Sequence, residues 1–103
     1  MLERFKSMEG QTFLTLARGS KFEVLDVTQK DILIHVFSTD KERVLFQKEI
    51  ETAWEALTRL GVLKQTEILA QGSRSSAYIA KLFSELPGVS YTLHPITMRY
   101  QSS

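Results

Sequence analysis

The hydrophobic period of this chain changes near residue 47, and that change limits the folds open to it. Between Thr12 and Phe46 apolar residues recur at a period of two, the spacing of strands; from Lys48 to Leu60 they recur every three or four residues, the spacing of a helix. Phe13-Leu14-Thr15-Leu16 reads as a first strand, followed by a turn at Arg18-Gly19-Ser20. In the next segment Phe22, Val24 and Asp26 are expected on one face and Glu23, Leu25 and Val27 on the other. Ile32 to Phe37 is apolar on both faces apart from His35, so it reads as a central or well-covered strand. Thr28 to Asp31 and Ser38 to Glu42 are short polar connections, and Arg43 to Phe46 is a shorter strand. Hairpin-linked strands in this order make an antiparallel meander of three to four strands over 12–46.

The helix of 48–60 carries Ile50, Ala53, Trp54, Leu57 and Leu60 as one apolar stripe, and Gly61 is placed to cap its C-terminus. Leu2, Phe5 and Met8, three apart, allow a short N-terminal helix ending at Gly10, with a frayed terminus as the alternative. Residues 66–86 read as a helical pair: Thr66 caps a short helix, Gly72 supplies the turn, Ser75 or Ser76 caps a second helix, and Leu86-Pro87-Gly88 stops it. The segment 89–100 carries Tyr91, Leu93, Ile96, Met98 and Tyr100 around His94-Pro95. It is either one strand broken by proline or a hairpin packed against the meander, and because proline removes a ladder donor an edge position is expected. The fold class is therefore α+β: the meander packed against a central helix and a helix–turn–helix-like pair, with a final edge strand, all in a single domain of 1–103.

Stretches of this chain resemble small bacterial α+β proteins in which a β-meander is followed by a helix and a C-terminal helical pair. The resemblance is carried by Gly19 to Val24, Glu49 to Trp54, Ser76 to Ala80, and Leu86 to Val89. It implies a single domain and no particular activity.

The pair over 66–86 is the local pattern with a functional implication, because a helix–turn–helix offers its second helix to a DNA groove. Projected at 100° per residue, that helix places Ile79, Leu82, Phe83 and Leu86 on one side. Ser73, Arg74, Ala77, Ala80, Lys81 and Ser84 fall on the other, with Arg74 and Lys81 as its cations and Lys64 as a supporting one. Such a face could approach nucleic acid closely; stripes of small residues also arise where a helix packs tightly on a neighbour. Ile68 and Ser73 depart from the usual helix–turn–helix pattern, which prefers a small residue four before the turn glycine and an apolar one after it. Thirteen Lys and Arg against twelve Asp and Glu give a net charge of +1, without the positive excess common in DNA-binding domains.

Chemistry is sparse. There is no cysteine, which excludes disulfides, thiolate metal sites and cysteine nucleophiles. His35 and His94 are too far apart to form a local metal motif, and no strand carries the acid–x–lysine ending of a restriction-type nuclease. Phosphate loops, nucleophile elbows and dinucleotide fingerprints are missing. The expectation is a non-enzymatic cytoplasmic protein without cofactor, metal or membrane segment. Its partner would be nucleic acid through the 73–86 face, or a protein, including a second copy of itself.

Overall fold

The hairpins of the first half close into one antiparallel sheet. The computed structural model describes residues 2–70 and 75–101. Strands β1 (Thr12–Leu14), β2 (Lys21–Val27), β3 (Asp31–Val36) and β4 (Lys41–Phe46) lie in the order β1-β2-β3-β4, so β3 is central as its sequence implies. Phe13, Phe22, Val24, Ile32, Ile34, Val36 and Leu45 point to one face and are buried there.

Strand β2 departs from simple alternation. Val24 pairs with Ile34 but Asp26 pairs with Leu33, so Leu25 is an extra residue, a β-bulge. The bulge reverses the expected phase: Val27 turns into the core and Asp26 turns out with Leu33. An alternating reading could not place it, because the bulge is a backbone event and no glycine marks it.

Helix α1 (Gln47–Leu60) follows β4 without a loop. Ile50, Ala53, Trp54 and Leu57 are buried as its stripe requires, and Ala56 joins them, whereas Leu60 lies exposed at the overhanging last turn. Gly61 takes a left-handed conformation (φ 78°) and donates its N–H to the Leu57 carbonyl at 2.8 Å, which ends the helix.

The N-terminal segment Leu2–Met8 is a 3₁₀ helix. With three residues per turn, its spacing of three puts Leu2, Phe5 and Met8 on one line, and all three are buried. Its latch to the sheet is polar. Oε2 of Glu9 accepts the Val27 N–H at 2.8 Å and the Lys6 ammonium at 3.1 Å, while Lys6 also donates to the Val27 carbonyl.

Strand β5 (Val62–Lys64), absent from the sequence reading, leads into α2 (Gln65–Ala70) and α3 (Ser76–Ser84). The last segment forms a hairpin, β6 (Val89–Thr92) and β7 (Thr97–Tyr100). These make a second antiparallel sheet in the order β5-β7-β6, not a further strand of the meander. The expected edge strand is thus corrected: β7 is central, and Pro95 sits in the turn before it, where it removes no ladder donor. One apolar cluster spans the 3₁₀ helix, the first sheet, the three α-helices and Met98 of β7.

Candidate functional site

The helical pair stands where the sequence puts it, and α3 is the better formed member. Ser75 precedes it with its carbonyl accepting the N–H groups of Tyr78 and Ile79 at 3.1 and 3.0 Å. Ile79, Leu82, Phe83 and Leu86 are buried, with Phe83 stacked on Phe5 (6.1 Å) and edge-on to Trp54 (5.3 Å). The expected outer face does not form one solvent-facing surface. Ala80 is 0% exposed, so it cannot touch a partner while the fold is intact. Ala77 is half-buried. The Lys81 side chain, 19% exposed, runs to Glu85 (3.5 Å) and across the Phe13 ring (5.9 Å). Ser84 donates its hydroxyl to the Lys81 carbonyl at 2.6 Å. Lys64 is exposed on β5, away from α3 in the chain, and its N–H is taken by Glu67. Ser73 and Arg74, with the turn glycine Gly72, lie outside the described residues. The small side chain at Ala80 therefore serves close packing, with Phe83 of α3 against Phe5 and Trp54 and Tyr78 against Phe22.

A second surface comes from the strands themselves. Alternate residues of β1–β4 turn away from the core onto a face whose side chains are exposed or half-buried. Directly opposed residues share a face, so the register defines its rows. One row is Thr12, Glu23, His35 and Glu42; the next is Asp26, Leu33 and Val44; Asp31 opposes Phe46 at one end and Leu14 opposes Lys21 at the other. Leu25 stands out at the bulge. Phe46 is 56% exposed and Leu14 54%, and Leu25 and Phe37 are exposed as well. Leu33 and Val44 are half-buried between them. Leu33 and Val44 oppose each other, and the row Glu23, His35 and Glu42 separates them from Leu14 and Phe37; exposed apolar groups of this size often mark interaction sites.

The polar groups of this face are mostly acids: Glu23, Asp26, Asp31 and Glu42, with Asp40 in the adjoining turn, against Lys21. His35 lies at the centre. Its Nε2 is 3.2 Å from Oδ1 of Asp40, and its ring meets Phe37 edge-on at 4.9 Å. The Lys21 ammonium lies 5.0 Å from the Phe37 ring. Asp40 reaches back to His35 because it adopts a left-handed conformation (φ 51°), which a short polar side chain tolerates. Among the described residues no three His, Asp or Glu side chains converge in a way that could hold a metal ion, and no helix is long and apolar enough to cross a membrane.

The sequence reading missed this surface although its signal was present. Leu33 and Phe37 break the polar alternation that an uncovered strand normally shows, a pattern that suits a central strand as well as a well-covered one. Strand β3 is central, and its outward side chains are exposed or half-buried. Compared with known proteins, the chain matches no family model, and no curated protein and no solved structure is significantly similar to it.

Proposed function

We propose that this chain is a small non-enzymatic binding protein whose working surface is the open face of the β1–β4 sheet, and that its partner there is another protein. The observation that carries this reading is the exposed apolar set Leu14, Leu25, Phe37 and Phe46, with half-buried Leu33 and Val44, on the sheet face turned away from the core. Burying such side chains contributes about 25 cal/mol per Å² of apolar area, so the face gains by acquiring a cover. The contact is assigned to this sheet instead of to the α3 face because Ala80 and much of Lys81 are already covered.

Charge indicates the kind of partner. A second copy docked face to face would set Glu23, Glu42 and Asp26 against the same acids, with Lys21 as the main relief. Like charges brought together in a drying interface oppose association. A partner presenting apolar side chains with interspersed lysine or arginine meets no such penalty.

The test uses two amphipathic peptides, one alternating leucine with lysine and one leucine with glutamate. Titrated into isotope-labelled protein, the lysine peptide should shift the amide resonances of Leu25, Leu33 and Val44, and the glutamate peptide should not. Leu33→Glu combined with Val44→Glu should abolish the shifts. Equal responses to both peptides, or shifts confined to another surface, would reject this assignment.

A further inference from the structure

On the other side of the molecule Tyr78 stands in the first turn of α3, half-buried, with its ring edge-on to Phe22 at 5.2 Å. The guanidinium of Arg43 lies 5.5 Å from its centroid. The residue lines two shallow clefts. One, of about 260 Å³, is bordered by Thr39, Lys41, Glu42 and Arg43. The other, of about 270 Å³, is bordered by Arg18, Ser20, Gln65 and Ala77. Among the described residues, Arg18, Lys41 and Arg43 have no carboxylate at ion-pair distance.

We infer that these paired clefts bind a single-stranded nucleic acid, with phosphates neutralised by Arg18, Lys41 and Arg43 and a base resting on the Tyr78–Arg43 platform. Three observations converge on that ligand. The cations flank an aromatic ring and a guanidinium plane, the combination on which unpaired bases stack. Tyr78 lines both clefts, so a linear chain can pass from one to the other while a compact anion fills only one. Although net charge is only +1, Arg18, Lys41 and Arg43 line the two clefts against Glu42 as the one lining acid among the described residues, a local positive excess that attracts a polyanion. Duplex DNA is the poorer fit. A duplex reader would present the outer side of α3, and there Ala80 is 0% exposed and the Lys81 side chain 19%.

The experiment follows the fluorescence anisotropy of a labelled oligothymidine of about twelve nucleotides, a length spanning one such site, at low and rising salt. Binding should weaken with salt at a log–log slope of about −0.7 per phosphate neutralised. Arg18→Ala and Arg43→Ala should each lower affinity several-fold and make that slope shallower. Tyr78→Leu should weaken binding about fivefold or more, whereas Tyr78→Phe retains it because the ring is kept. If Tyr78→Leu does not fold, the two arginine variants still decide, because neither side chain belongs to the buried core. Three results would overturn the inference: no anisotropy change at low salt, competition by polyglutamate as strong as by oligothymidine, or tighter binding to a duplex.

Discussion

The two faces of the first sheet are built from alternate residues of the same strands, yet they have opposite physical roles. Ile32, Ile34 and Val36 of β3 are buried in the core, while Leu33, between them in sequence, looks outward between Asp26 and Val44. Hydrophobicity alone does not separate these positions, since Leu33 is as apolar as Ile34. What separates them is the supply of cover. The amphipathic helices among the described residues contribute to the core on one face, and the other keeps apolar groups exposed or half-buried.

The largest expected effect probes that asymmetry directly. Ile34→Ala leaves a cavity where no exposed surface existed before and should cost about 3 kcal/mol of unfolding free energy in urea titration. Leu33→Ala, a change of the same kind one residue away, removes a half-exposed side chain and should cost about 1 kcal/mol or less. Comparable losses at the two positions would mean that the open face is covered in solution by a second copy, and sedimentation of the same samples would reveal it.

A smaller effect sharpens the same contrast from the outside. Phe46→Ser lies at the margin of the open face, at a site already 56% exposed, and should change stability by about 0.5 kcal/mol or less. Binding of the leucine–lysine peptide should nonetheless weaken, because that residue supplies contact area to a partner and little to the fold. A large loss of stability with unchanged binding would reverse the roles assigned to this position.

Much of the covered face was legible in the sequence, and most of the open one was not. The stripe from Ile50 to Leu57 and the central place of β3 follow from period and composition, which are local properties. The spacing of Leu2, Phe5 and Met8 signalled a helix, and only their common burial distinguishes a 3₁₀ helix from a frayed end. The bulge at Leu25 was hidden because one added residue leaves composition unchanged while reversing Asp26 and Val27. Strand β5 has three residues, too few for a period, and it is defined by pairing with β7 more than thirty residues later. The cluster at Tyr78 gathers Arg18, Arg43 and α3 from three distant stretches, so no local motif announces it.

The smallest expected effect concerns how the covered face keeps its cover. Glu9 accepts the Val27 N–H just beyond the bulge, and this bond first, then the Lys6 ammonium, holds its carboxyl below the usual glutamate range. A carboxylate whose folded pKa is depressed adds stability at pH values above its unfolded pKa, and that contribution fades as pH falls through the folded value. Acidification should therefore loosen the 3₁₀ helix from β2 below the normal glutamate titration, seen as faster hydrogen exchange at Val27. Glu9→Gln should exchange faster already at neutral pH and lose that pH dependence. The amide of Val24, donated to the Gln11 carbonyl at 3.0 Å and independent of any carboxylate, serves as the reference that must not follow it. Parallel behaviour of the two amides would show global unfolding instead of release of the latch, and the polar attachment of the cover would then lose its separate role.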